Sequence, residues 1–336
     1  MLTAEQKRET TELCRELVRQ PSYSGQEDRV VAVLERFMRE KGFDEIAIDR
    51  YGSVIGTIRG KRPGPGILFD GHIDTVPVPD ATVWKHPPFA GELADGRVYG
   101  RGSSDMKGAV AAMACAMANL AGESGRDFSG SLHVAGVVHE EMFEGVAARE
   151  ISARLRPDFV IIGEASELNL KIGQRGRAEI TLETSGVPAH SANPEKGVNA
   201  VHAMTRLIRE VEKIVPGEQP ILGKGVAVLT DIISTPYPGA SVVPSGCRAT
   251  YDRRLLVNET RDGVLAPYRE AAKRLADADA SFKGKASFAR GAEKCHTGAV
   301  IEGERFFPGW LFDAGEDFIR KALAGLVAAG FKPEIS

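Results

Sequence analysis

The apolar run Ile67-Leu68-Phe69 leads straight into Asp70-Gly71-His72-Ile73-Asp74-Thr75-Val76-Pro77, and the His72/Asp74 pair has the form of a metal grip. A histidine binds a divalent ion through one ring nitrogen while its other N–H needs an acceptor. On an extended chain a carboxylate two residues away lies on the same side as the histidine. Further carboxylates follow similar punctuation: Asp105 after Gly100-Arg101-Gly102, Glu140 and Glu141 after the apolar run 132–138, and Glu164 after 159–163. Imidazole and carboxylate donors without thiolates suit a catalytic zinc, manganese or cobalt ion. A carboxylate-rich set can also hold two ions about 3.5–4 Å apart. Singly, each residue has an ordinary explanation: a histidine after a strand is usually hydrogen-bonded into the fold, and a Glu-Glu pair is usually a solvated face. Their joint placement favours a metal-dependent hydrolase over a set of structural carboxylates.

These residues act together only if the fold gathers them. Strands expected at 46–48, 54–58, 67–69, 132–138 and 159–162, with helices at 106–120 and 145–155, spell an α/β domain with an open, doubly wound, mainly parallel sheet. In such sheets ligands collect beyond the carboxyl ends of the strands, which is where His72, Glu140, Glu141 and Glu164 fall. Near the N-terminus, Thr3 and Gln6 form a capping box opening an amphipathic helix through Leu13 and Leu17. Ser24-Gly25-Gln26-Glu27 reads as a second capping box, before a helix carrying Val30, Val31, Leu34, Phe37 and Met38 that ends at Gly42.

After Arg175 the order changes. Strand 178–184, helix 195–215, strands 226–233 and 247–255, helix 259–275 and strand 286–289 give β-α-β-β-α-β, the ferredoxin-like sequence of elements. It implies a lid or dimerisation domain over 175–291, inserted into a catalytic domain made of 1–174 and 292–336. A final helix at 317–329, with Gly330 as its cap and Pro333 beyond, should be followed by another strand, so the chain reads as incomplete at its C-terminus.

The 336 residues suffice for two domains, and 43 basic against 46 acidic residues give a net charge of -3. No nucleic-acid or anionic-membrane footprint exists in that balance. Cys14, Cys115, Cys247 and Cys295 are scattered, which points to reduced thiols and a cytoplasmic setting rather than a disulfide framework. No export signal is visible at the N-terminus, and the alanine-rich stretch 108–122 is shorter than the ~20 apolar residues a bilayer crossing needs. Gly100-Arg101-Gly102 lacks the third glycine of a dinucleotide loop, and neither a phosphate-binding loop nor a G-x-S-x-G elbow occurs. Structural roles suit His86, His133 and His202. His139 is open between loop packing and ligation, since adjacent strand residues point to opposite faces.

The motifs Gly71-His72-Ile73-Asp74-Thr75-Val76-Pro77, Gly100-Arg101-Gly102-Ser103-Ser104-Asp105-Met106-Lys107-Gly108, Glu140-Glu141, Gly163-Glu164 and Ser185-Gly186-Val187-Pro188-Ala189-His190-Ser191 together resemble the co-catalytic zinc metallohydrolases. That family includes acetylornithine deacetylase, succinyl-diaminopimelate desuccinylase, carboxypeptidase G and aminoacylase. The resemblance implies two zinc ions per subunit, with cobalt or manganese as substitutes. His72 and Glu164 would hold one ion, Glu141 the other, and Asp105 would bridge them. Asp74 would orient His72, and Glu140 would be the general base. It also implies a cis peptide at Asp105–Met106, a homodimer through the lid domain, and His190 stabilising the oxyanion in a partner subunit's active site. Asn199 and Arg254 match positions that bind substrate, although for Arg254 a surface salt bridge is an equal rival.

Two features depart from the family. Ser241-Val242-Val243-Pro244 stands where Asn-x-x-Pro is usual, and no residue matches the family's last histidine ligand near the C-terminus; Cys295-His296-Thr297 reads as a linker. The segments 251–255 and 307–310 are weakly similar to a subgroup linked to selenium metabolism. The sequence thus describes a dimeric zinc amidohydrolase acting on an N-acyl amino acid or small peptide. A non-catalytic dimerising or binding protein is the alternative that the unmatched ligand leaves open.

Overall fold

The capping box at Thr3 forms. Its hydroxyl accepts from the Gln6 amide at 3.2 Å, the Gln6 side chain accepts from the Thr3 amide at 2.8 Å, and helix α1 (Ala4–Val18) follows. This computed structural model describes residues 2–336, which divide by their contacts into two units. One comprises the chain up to Leu168 together with Ala292–Gly303; the other comprises Asn169–Gly291 and Glu304–Ser336. The stretch after 303, expected with the metal-bearing domain, therefore groups with the second unit. The cause is backbone pairing: Phe306 and Phe307 lie opposite Ala178 and Arg177, and Leu170 bridges Ile335.

In the first unit α2 (Asp28–Glu40), β1 (Glu45–Ile48), β2 (Val54–Arg59), β3 (Arg62–His72), α3 (Gly108–Ser124), β4 (Ser129–Val137), α4 (Val146–Leu155) and β5 (Phe159–Ile162) follow α1. The strands form one sheet in the order β1-β2-β4-β3-β5. It is mixed rather than mainly parallel, for a local reason. The turn 49–53 is too short for a crossover, and the Asp49 carboxylate accepts the amides of Tyr51, Gly52 and Ser53 within it, so β1 and β2 pair antiparallel. β4 also runs antiparallel to β2. The connections from β3 to β4 and from β4 to β5 pass through α3 and α4, and those strands are parallel.

This parallel half positions the site. His72 lies opposite Val137 and Asp70 opposite Ile162, so three adjacent strands end at the same edge. Helix α2 buries Val30, Val31, Leu34, Phe37 and Met38, the stripe its sequence spacing requires, against β1 and β2, while α3 packs on β3 and β4. Leu17, Leu34, Met38, Ile58, Leu68, Val110 and Val134 are fully buried in one core, each contributing roughly 1.5–3 kcal/mol relative to exposure. The apolar strand β5 is the exception. It lies at the sheet's edge, and Phe159, Val160, Ile161 and Ile162 are all more than a third exposed.

The second unit has the ferredoxin-like order. Strands β6 (Gly176–Ser185), β7 (Val226–Thr235), β8 (Gly246–Leu255) and β9 (Lys283–Phe288), with helices α5 (Ala200–Val211) and α6 (Arg261–Ala278), form an antiparallel sheet ordered β7-β8-β6-β9. Ala178, Ile180 and Leu182 alternate inward along β6 and meet Met204 and Leu207 of α5 and Leu265 and Tyr268 of α6 in a second core. Helix α5 begins at Ala200 rather than 195, because Pro194–Lys196 forms its own short turn and the Asn199 side chain caps α5. Helix α7 (Asp317–Ala328) follows the short strands Phe306–Phe307 and Trp310–Leu311 and ends before Gly330, which has φ +91°.

Gly130 marks where β3 and β4 crowd. Its φ is +89°, and a β-carbon there would sit 1.9 Å from the Pro65 carbonyl oxygen, a backbone atom that cannot yield. Gly130→Ala should lower stability by about 1–3 kcal/mol, read as a reduced denaturant midpoint with an unchanged slope.

Candidate metal centre

His72 closes β3 with its side chain only 2% exposed. Its Nδ1–H donates to the Asp74 carbonyl at 2.9 Å, which orients the ring and leaves Nε2 directed at the carboxylates. Nε2 lies 2.8 Å from Asp105 Oδ1 and 3.4 Å from Glu164 Oε1. Ligand atoms of His72, Asp105 and Glu141 all fall within 4.8 Å of one another. One imidazole among acidic groups drawn from three separate strand ends and a loop is the donor chemistry of a hard or borderline divalent cation, so these residues fit such an ion.

Asp105 comes from an irregular turn. Gly102 has φ +83°, Asp105 and Met106 leave helical geometry inside Ser103–Lys107, and the Asp105–Met106 peptide is cis. Lys107, entirely buried, anchors this turn by donating to the Leu17 and Gln20 carbonyls at 3.2 and 2.8 Å, at the carboxyl end of α1. A cation at a helix C-terminus satisfies carbonyls that have no partner within the helix. Burial nonetheless pulls the Lys107 pKa down to about 8.

Asp74 is 0% exposed and binds the residues around it. Its Oδ1 accepts from the Glu140 amide at 3.0 Å, and its Oδ2 accepts from the Glu141 amide at 3.2 Å and the Ser24 hydroxyl at 2.7 Å. Ser24 therefore caps no helix, contrary to the capping box expected from Ser24 and Glu27. Helix α2 starts later, at Asp28, without a side-chain cap, and Ser24 serves Asp74 instead. Glu140 and Glu141 open a one-turn helix, Glu140–Phe143, which follows His139 in the left-handed region at φ +56°.

Electrostatics mark the same place. Burial pushes the Glu140 carboxyl up to about 7, with Asp74, Glu141 and Glu164 adding to the rise and His72 opposing it. Burial also raises Glu141, with Asp105 and Asp74 adding. For His72 burial works downward, but the hydrogen-bonding Glu164 and the charges of Asp74 and Glu140 outweigh it and carry the pKa up to about 10. Excess negative charge around one imidazole is what a bound cation would neutralise.

The first unit thus brings together His72, Asp74, Asp105, Glu140, Glu141 and Glu164, with the carboxylates of Asp105 and Glu164 63% and 48% exposed. The other three candidates belong to the second unit. His190 is exposed and bridges Val242, its Nδ1 accepting from the Ala192 amide. Asn199 accepts from the amides of Val201 and His202. Arg254, half exposed, makes a 3.3 Å ion pair with Asp252, the rival reading of that residue, while its neighbour Arg253 is buried against Glu259. His133 is held between Thr57 and Ser131, His86 pairs with Glu92 and stacks on Tyr99, and His202 is exposed on α5. Sequence reasoning gave Glu27 a helix-capping role and His296 a place in a linker, and gave Lys107 no role of its own; a single charge at the head of the apolar stretch 108–122 was the available signal for it.

Residues 68–235 match the model of the peptidase family M20/M25/M40. The chain belongs to that family. It is 34% identical over 265 residues to a succinyl-diaminopimelate desuccinylase of Cereibacter sphaeroides, covering 75% of this chain and 68% of the relative. It is 33% identical to the uncharacterized protein YgeY of Escherichia coli, covering 93% of this chain and 76% of that one. Among solved structures, the Bacillus subtilis YXEP protein, a dinuclear metal-binding peptidase of the family, superposes with a TM-score of 0.69 at 16% identity over 99% of this chain and 83% of its own. At that identity the likeness establishes the fold, an α/β domain with a second, ferredoxin-like domain.

Because metal-free His72 is held protonated to about 10, an incoming ion must displace its proton. Zn2+ affinity should therefore rise about tenfold per pH unit between pH 6 and 8, with proton release measurable by calorimetry in buffers of different ionisation enthalpy. A flat affinity over that range would contradict this charge arrangement.

Proposed function

We propose that this family member is a zinc-dependent amidohydrolase that cleaves the amide bond of an N-acyl amino acid or a small peptide. The observation that carries the reading is Glu140: a carboxylate held near neutrality beside a buried imidazole, with Asp105, Glu141 and Glu164 around it. His72 and Glu164 would hold one divalent ion, Glu141 the other, with Asp105 between them. When bound, such ions supply the Lewis acidity that acidifies a water and polarises an acyl carbonyl.

The chain's own residues do the rest. Glu140 takes the proton from the attacking water and later delivers it to the departing amine, a task suited to a carboxyl near the working pH. Asp74, through the two amides it binds, keeps Glu140 and Glu141 aimed, and through the Asp74 carbonyl the Nδ1–H of His72 is held. His190 serves the oxyanion of a partner subunit's substrate, while Asn199 and Arg254 bind substrate polar groups, Arg254 exchanging Asp252 for a carboxylate.

Such a role for His190 requires a homodimer, and β7 supports one. It is the outer strand of its sheet, ten residues long, with Val228, Ile232 and Ile233 exposed, an edge suited to pairing with a second copy. Four free, buried cysteines support a cytoplasmic setting.

Released amine, measured over a panel of N-acetyl and N-succinyl amino acids and dipeptides with the zinc-loaded protein, tests the activity. Glu140→Gln should lower kcat by about 10²- to 10⁴-fold while metal content stays at about two ions per chain. The wild-type kcat/KM should fall as the pH drops through about 7 or somewhat lower, since protonated Glu140 cannot accept a proton and bound cations favour its charged form. A metal-loaded protein inert across the whole panel would sink the proposal. In light scattering the protein should have the mass of a dimer, and Ile232→Lys should convert it to a monomer.

A further inference from the structure

We infer that Glu27 is a positioning residue for the metal centre, acting through Ser24 and His139 and braced by His296. The inference rests on the metallohydrolase reading above and concerns residues that reading does not use. Glu27 is fully buried, and a buried carboxylate is costly unless donors surround it. Its donors are the Gly25 amide at 2.9 Å and the His139 amide at 3.2 Å on one oxygen, and His296 Nδ1 at 3.3 Å on the other.

Each amide belongs to a segment that holds the site. Gly25 follows Ser24, whose hydroxyl binds Asp74, and His139 precedes Glu140 and Glu141, whose amides bind the same Asp74. Glu27 and Asp74 thus tie the Ser24–Gly25 loop and the Glu140–Glu141 turn together from two points. His139 needs such a tie. It is a non-glycine residue at φ +56°, a conformation persisting only where its surroundings enforce it, and both buried ring nitrogens lack a hydrogen-bond partner among the described residues. The backbone bond to Glu27, the Phe143 amide donating to its carbonyl at 2.9 Å and edge-on packing with the Phe143 ring hold it.

His296 comes from the segment that rejoins the first unit after the second. Its ring lies against Gly52, where a β-carbon would sit 2.1 Å from Cε1 and where φ is +104°, so only glycine leaves room for it. Thr297 fastens the same turn through the Arg50 carbonyl at 2.8 Å. A stretch that sequence reading treats as a linker is thereby built onto the carboxylate beneath the site.

The test is Co2+ binding to the full chain, followed by visible absorption and by competition with a chelator. Glu27→Ala should weaken Co2+ binding about 10- to 100-fold and alter its spectrum, as losses of outer supporting groups typically do. Glu27→Gln, which keeps an acceptor for the two amides, should recover most of the affinity. Gly52→Ala and His296→Asn should shift it in the same direction as Glu27→Ala. In turnover, Glu27→Ala should reduce kcat with little change in KM. A folded Glu27→Ala protein, judged by circular dichroism, with wild-type Co2+ affinity and spectrum would overturn the inference alone. If Glu27→Ala does not fold, wild-type affinity in both Gly52→Ala and His296→Asn would overturn it. A wild-type chain that binds no Co2+ would overturn the metallohydrolase reading and this inference with it.

Discussion

One buried carboxylate organises the site. Asp74 has no exposed surface, and in a low-dielectric interior a carboxylate of that kind holds its place only by collecting donors. It takes three, from Ser24, Glu140 and Glu141, while its backbone carbonyl receives the Nδ1–H of His72. The N-terminal loop, the end of β3 and the turn after β4 are thereby locked to a single point. The imidazole and the acidic side chains then have directions that no one element could give them.

The sheet makes that lock possible. Parallel pairing of β4, β3 and β5 puts three strand ends side by side, so ligands far apart in the chain are gathered without a long loop. The antiparallel half contributes differently. The tight Asp49 turn between β1 and β2 presents Gly52 to His296, a contact that brings the late segment 292–303 back to the first unit. Repulsion among the acidic groups is the other organising force. Burial, with those neighbours adding, lifts Glu140 to about 7, while attraction to Glu164, Asp74 and Glu140 outweighs burial and carries His72 to about 10, values that suit a proton-shuttling carboxylate and a cation-seeking site.

Much of the fold was legible from residue patterns. The alternating inward positions of β6, the i, i+3, i+4 stripe of α2 and the order of elements in the second unit follow from spacing alone, because side-chain periodicity is set by local backbone geometry. Errors arose where a tertiary contact competed with a local one. Ser24 has the form of a helix cap but bonds to Asp74, fifty positions away. The run Phe159–Ile162 has the composition of a buried strand but lies at an edge. The sheet proved mixed because a short turn overrode the α/β rhythm, and the last segment joined the second unit through backbone pairing that leaves no mark on composition.

By itself the sequence determined the chemical inventory. His72, Asp74, Asp105, Glu140, Glu141 and Glu164 stand at strand ends or turns, and residue type together with local punctuation is enough to mark them as candidates for a metal site. Only the tertiary structure decided how they are held: the hydrogen bond from His72 Nδ1–H to the Asp74 carbonyl, the burial that raises Glu140, and the arrangement of Ser24, Glu27 and His296 beneath them. The physical reason is range. Propensity and periodicity act over a few residues, whereas the burial and hydrogen bonding that set a carboxylate's charge and direction come from segments far apart in the chain.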